Sequence, residues 1–469
     1  MSMFDFGPDP FEDSHSKDLR DLIAAYEAQD GLVYFDSETL EDIATYYFEL
    51  GEFGQALGVI DRLLEMYPFS SDAWMRRGIL LNNLTRHEEA LEAYSQALRF
   101  NPTDTETLVN RGITLDTLDR TEEALEAYEQ ALQFDPLNDE ALFSRGVTLE
   151  RLERLEDAIE CFQRCVGVNE NHPEAWYELG FCFDRMGNND RSLDCYDRHI
   201  AIDPYSHDAW YNRGIVLNRM GRFGDAIASY DFAIAIDDLF ASAYYNRGNA
   251  LANLGQLNEA IESYLRVIDL EGGDAATYYN IALAQEEQKL FEDAAINFGL
   301  ATQMDPTYTE AWYGLGCCYD ALERHTEAYR ALVHAVDLSP HTAELWYAKA
   351  DCAYNAGLLD SALEAYQQVM DLDPANREVW LDYAETLVEV RRFEDALRAY
   401  QQALQLGSDT ASTYLKQVKA LFALGRREEG VRSIKRAFQL DPLKKAEFPH
   451  MYPDLYRDPQ LRRNLDLDI

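Results

Sequence analysis

One period governs this chain. From Ser37 to Lys444 the sequence repeats every 34 residues, twelve times without a break. An aromatic residue or Leu opens the pattern, Ala follows about sixteen residues on, and Pro twelve after that. Trp74, Ala90 and Pro102 set one instance; Trp312, Ala328 and Pro340 set another. The units begin at Ser37, Ser71, Thr105, Asp139, Pro173, His207, Ala241, Ala275, Thr309, Ala343, Arg377 and Ala411. An array of this kind grows by stacking each unit on its neighbour, so 469 residues need neither one large core nor several globular domains. It presents a long surface and does not enclose an active site.

The unit from Ser71 to Asp104 shows the local physics. Asp72 sits in the first turn of an expected helix, where it suits the positive end of the dipole. Trp74, Gly78 and Leu81 share one face of that helix, and Gly78 lets a neighbouring helix come close. The polar run Thr85-Arg86-His87 breaks the pattern; other units carry Gly there (Gly51, Gly187, Gly221, Gly255, Gly357, Gly425), which ends a helix in the left-handed conformation at least cost. Ala90, Tyr94 and Ala97 line one face of a second helix, and Asn101-Pro102 stops it.

The pattern W-x2-[LR]-G-x2-[LY], A-x3-[YF]-x2-A, then Pro resembles the tetratricopeptide repeat. Two departures recur. Arg77, Arg111, Arg145, Arg213 and Arg247 stand before the Gly where the family usually has Leu, and Glu170, Asp238, Gly272 and Ser408 replace the closing Pro. Neither threatens the fold, since an Arg stem lies along apolar surface with its head at the edge. The resemblance implies an all-α, right-handed superhelical solenoid of helix-turn-helix units. It divides the chain into a disordered acidic tail (1–14), an N-terminal capping helix (15–36), twelve repeats (37–444) and a C-terminal capping segment (445–469). In the capping helix Leu19, Leu22, Ile23 and Tyr26 share a face; in the last segment Tyr452, Leu455, Tyr456, Leu461 and Leu465 read as one or two short helices.

In that family the first helix of each unit lines the concave face, with the second, fifth, ninth and twelfth positions exposed and the sixth and thirteenth flanking them. Here the fifth position is Tyr in six successive units, Tyr177, Tyr211, Tyr245, Tyr279, Tyr313 and Tyr347, followed by Asn212, Asn246 and Asn280. Tyr offers a large contact surface with few rotatable bonds, and Asn offers a donor and an acceptor together. The ninth position is mostly apolar. The second and twelfth are largely acidic, the twelfth through Asp116, Glu150, Asp184, Glu286 and Asp320. Tyr-Asn pairs and second-position acids also occur in ordinary repeats, so structural consensus and a ligand track both fit them; the twelfth-position acids are less demanded by the fold. Co-chaperone members that grip a C-terminal carboxylate put Lys at the fifth position. None stands there in this chain, and groove cations are sparse (Arg76, Lys416, Lys419).

Charge narrows the partners. A formal net charge of −44 opposes nucleic acid and anionic membrane surfaces, both of which are bound through clusters of Lys and Arg. The first residues lack the basic and apolar regions of a secretory signal, and no run of apolar residues is long enough to span a bilayer. Seven scattered Cys fit a reducing compartment and read as buried core thiols, so a cytoplasmic protein is expected. No phosphate loop, nucleophile elbow or zinc-protease motif is present, and no enzyme activity, metal or cofactor is expected. Acidity also reverses along the array. The first unit has seven acids against Arg62 alone, while the last has three acids against Lys416, Lys419, Arg426, Arg427, Arg432, Lys435, Arg436 and Lys444. The expected function is a scaffold or adaptor that binds a basic and apolar segment of a protein or peptide in an acidic, Tyr-lined groove. The alternative is a structural subunit that self-associates through its oppositely charged ends.

Overall fold

Every 34-residue unit is a pair of helices joined by a tight turn. In the second unit they span Ser71–Asn83 and His87–Phe100. First helices start at the unit starts given above, from Ser37 through Ala411. The computed structural model describes residues 22–28, 35–408 and 410–467, which are all-α, with no strand among them. The expected acidic tail, Met1 to Ser14, and Leu19 lie outside the described residues.

Three local devices build the pair. In eight of the twelve units the residue before the first helix caps it through its side chain: Ser70 Oγ accepts from the Ala73 N–H at 3.1 Å and Asn138 Oδ1 from the Ala141 N–H at 2.7 Å. The turn then places the fifteenth residue in the left-handed region. Gly187 and Gly221 do so at φ 74° and 73°, and Thr85 and Glu153 at φ 59° and 60° without the freedom of Gly. Finally, in most units the eighth residue of the first helix meets an aromatic ring on the second, while Ile60, Leu332 and Ile434 stand in the ring's place in the first, ninth and last. A Cβ added to Gly214 would lie 2.5 Å from Cε1 of Tyr230, a fully buried ring. The core is thus a small-against-large jigsaw in which Ala and Gly make room for Tyr or Phe.

In six repeats the fourth residue is a Trp that ties the unit to the one before. Its indole N–H donates to the carbonyl of the thirty-second residue of the unit before: Trp74 to Pro68 at 2.9 Å, Trp176 to Glu170 at 2.9 Å, and Trp312 to Pro306 at 3.0 Å. The bond uses only the backbone carbonyl of that residue, so Glu170 serves as its acceptor as Pro does.

The helix pairs gather into two compact units, one up to Asp238 and one from Leu239. Within each, every helix packs on its chain neighbours, and successive first helices also approach one another. The first helices therefore form the inner, tighter side of each stack. In the first unit Leu22, Ile23 and Tyr26, within the helical residues 22–27, pack on the first repeat, with Tyr26 set edge-on to Phe35 at 5.7 Å. In the second unit three short helices, Leu443–Met451, Pro453–Tyr456 and Pro459–Asn464, cover the last repeat. They bury Phe448, Leu461 and Leu465, and the Tyr452 hydroxyl donates to the Leu415 carbonyl at 2.7 Å. The last repeat differs from the others: Val418 stands at the eighth position, where the rest have Gly or Ala, and faces Ile434, and the first helix is interrupted at Gln417.

Candidate functional site

The inner side is where the Tyr and acid columns fall. Its most developed part lies in the second unit, on the first helices Thr309–Ala321, Ala343–Asn355 and Arg377–Glu389. Tyr313, Asp320 and Tyr347 line a cleft there of about 490 Å³, together with Glu344, Asp351 and Glu378. Among the described residues lining it, none is Lys or Arg. An adjoining cleft of about 340 Å³ is lined by Asp320, Tyr347, Asp351, Tyr354, Asp382 and Glu385, among others.

Two acids organise this region. The Tyr366 hydroxyl donates to Asp351 Oδ1 and the Tyr347 hydroxyl to Asp382 Oδ2, both at 2.6 Å. Burial pushes the Asp351 carboxyl up to about 6, opposed by the Tyr366 hydrogen bond and reinforced by Asp382 and Asp320. Asp382 is raised chiefly by burial as well, with Lys416 pulling the other way. Sequence reasoning missed Asp351, Asp382 and Glu385. The available signal was an anomaly of position: acids stand at the ninth and sixth places, where most units of the array carry apolar residues or Asn.

The expected Tyr-Asn row forms a ladder between repeats. Asn212 Nδ2 donates to the Tyr177 hydroxyl at 2.8 Å, and Asn280 Nδ2 to the Tyr245 hydroxyl at 2.9 Å. Tyr211 sets its ring 6.0 Å from Tyr230, and Tyr279 sits 4.8 Å from Tyr308. Asn246 occupies the equivalent place in the first helix of the seventh repeat and is half-buried. The hydroxyls of Tyr177, Tyr245 and Tyr347 are therefore engaged within the fold, while their rings stay half-buried on the inner side.

The twelfth-position acids are less free than their sequence suggests. Asp116 accepts from the Tyr128 hydroxyl at 3.0 Å, from the Thr148 hydroxyl, and from Arg151 at 2.8 Å. Asp184 pairs with Arg219 at 2.6 Å, and Asp320 with His325 Nδ1 at 2.9 Å. Glu150 faces Glu178, a carboxyl that sequence reasoning did not single out. Burial, and then Glu150 itself, push Glu178 up to about 7, which favours its protonated form. Glu286 is raised by burial.

The basic last repeat is also largely spent inside the chain. Lys419 pairs with Glu389 at 3.0 Å, Arg426 with Glu429 at 2.7 Å and Lys444 with Glu447 at 2.6 Å, while Lys416 meets Glu385 and Arg427 meets Asp458. The cysteines are free thiols, six buried and Cys317 half-buried. Burial pushes Cys182 and Cys195 up to about 12, so they stay protonated and inert. No helix among the described residues is long and apolar enough to cross a membrane.

Tetratricopeptide repeat family models match residues 41–105, 109–167, 151–207 and 327–377, as well as 241–274, 353–421 and 309–342. A TPR repeat model matches 216–255. Together they cover well over half of the chain. The chain belongs to the tetratricopeptide repeat family. Among solved structures, it is similar to MamA, at 30% identity and a TM-score of 0.34 over 34% of this chain and 94% of that one. It is also similar to YrrB, described as a TPR protein with an unusual peptide-binding site, at 26% identity and a TM-score of 0.35 over 39% and 95%. A repeat protein of Cytophaga hutchinsonii aligns at 18% identity and a TM-score of 0.45 over 50% and 97%. No curated protein matches the chain. As a tetratricopeptide repeat protein it is an interaction scaffold, of a family whose members bind proteins or peptides.

Proposed function

We propose that this chain is a non-enzymatic adaptor whose inner face binds a basic and apolar protein segment. The observation that carries the reading is the acid- and Tyr-lined cleft of the second unit. Asp320, Glu344, Asp351 and Glu378 converge there without a cation among the lining residues. Asp320 and Asp351 are half-buried and Glu344 and Glu378 exposed beside them, and a partner's ammonium or guanidinium group relieves the repulsion among these like charges on binding. Tyr313 and Tyr347 supply the apolar walls, and the stem of a Lys or Arg side chain lies against such rings.

Affinity capture with the full chain tests the reading. One bait carries the natural sequence and a second carries Asp320→Asn, Asp351→Asn and Asp382→Asn together. Partners held by the natural chain at low salt are expected to be lost from the triple variant. Equal recovery of every partner by both baits contradicts the proposal.

A further inference from the structure

The two compact units present different inner surfaces. In the unit up to Asp238 the ninth position is Ile79, Ile113, Val147, Phe181 and Ile215 in five successive repeats, each half-buried or exposed. In the other unit that position holds Asn249, Leu283, Cys317, Asp351, Glu385 and Lys419. The first unit therefore has an apolar column where the second is mostly polar. Beside the column, the second position is acidic in six successive repeats: Glu38, Asp72, Glu106, Glu140, Glu174 and Asp208, all exposed. These acids form one field. Glu106 is raised by burial and by the charges of Asp104, Asp72 and Glu140, with Arg76 opposing. On the opposite edge, Asp116 and Asp184 are already matched by Arg151 and Arg219. Negative charge therefore runs along one edge of the column, offset at Asp72 by Arg76 at 3.0 Å.

We propose that this face of the first unit docks an amphipathic helix of a partner protein, with its apolar stripe on the Ile-Val-Phe column and its Lys and Arg on the flank over the second-position acids. The inference rests on the inner-face reading above and narrows it to a place and a ligand class. Dimensions agree. Positions two and nine are seven residues apart, or about 10 Å along the helix. A helix of about 5–6 Å radius, lying over the column, brings a Lys side chain within reach of that row. Packed helices lie roughly 8–10 Å apart, so each repeat meets the partner helix about every five to seven residues, the upper end being close to a heptad. Charge on one flank only sets which way the helix rolls, and like charge on the other flank penalises the wrong face.

The test uses the full chain and a synthetic Leu/Lys peptide of about 20 residues, long enough for three repeats. Its Leu residues follow the heptad and its Lys residues occupy one flank. A scramble of the same composition is the control, and binding is read by fluorescence anisotropy. The amphipathic peptide is expected to bind more than about tenfold tighter than the scramble. Val147→Asp, and Glu106→Gln with Glu140→Gln and Glu174→Gln, are each expected to weaken it by about tenfold or more. Glu364→Gln, exposed on the second helix Leu359–Leu372, is expected to leave it unchanged. Equal binding of the scramble overturns the inference and leaves the inner-face reading standing. So does loss with Asp351→Asn but not with the first-unit variants. Absence of peptide binding also overturns it, and the capture experiment then decides the broader reading separately.

Discussion

At the scale of single residues, the fold depends on where space is left and where a backbone group is claimed. The Cβ of any substituent at Gly214 falls on the Tyr230 ring, so Gly214→Leu is expected to destabilise by about 1–3 kcal/mol in urea unfolding. The last repeat shows the compensation: Val418 faces Ile434, a smaller side chain than Tyr. Gly214→Val with Tyr230→Ile is therefore expected to recover part of the loss. Trp312→Phe keeps the ring contact but loses the bond to the Pro306 carbonyl, for an expected cost of about 0.5–1.5 kcal/mol. Thr85 holds φ 59° against its preference, and Thr85→Gly is expected to raise stability by about 1 kcal/mol. A thermal melt of that variant lying below the natural one contradicts this account of the turn.

At the scale of the helix, the first-helix columns carry both the ladder between repeats and the unusual acids. Glu178 and Glu150 face each other on neighbouring first helices, and burial holds Glu178 up to about 7. A carboxyl with a raised pKa favours the folded state while it is protonated. That contribution is complete below the ordinary carboxylate range and is lost as pH rises toward 7. Asp351, raised to about 6, acts in the same direction in the second unit. Stability by urea unfolding is expected to fall between pH 5 and pH 8, with a shallower fall in Glu178→Gln. A slope unchanged by that substitution contradicts the pairing. Much at this scale was legible in the sequence. The period fixes which residues share a helix face, so the Tyr column and the close approach at Gly78 were legible, while the structure supplies the ring that Gly meets. Contacts between one repeat and the next were not legible. The period does not say that Asn212 reaches the Tyr177 hydroxyl, or that Arg151 and Arg219 neutralise Asp116 and Asp184. Asp351 and Asp382 were hidden for a related reason: a column was read by its majority residue, and the exceptions carry the cleft.

At the scale of the whole molecule, a net charge of −44 is distributed unevenly in its consequences. Part is cancelled by arginines that bridge repeats, part is exposed along the second position of the first unit, and part is half-buried in the second-unit cleft. The basic last repeat is mostly matched by its own neighbours, which leaves less free positive charge for association between copies than its composition suggests. A partner held by exposed and half-buried acids is expected to bind more weakly as salt rises, because screening shortens the reach of the exposed charges first. The central claim is that partners occupy the inner, first-helix side. Hydrogen exchange of the full chain, with and without a captured partner, tests it most directly. The account predicts new protection on first helices, such as Thr309–Ala321 and Ala343–Asn355, with second helices unchanged. Protection confined to second helices, such as His325–Leu338 and Leu359–Leu372, would contradict it.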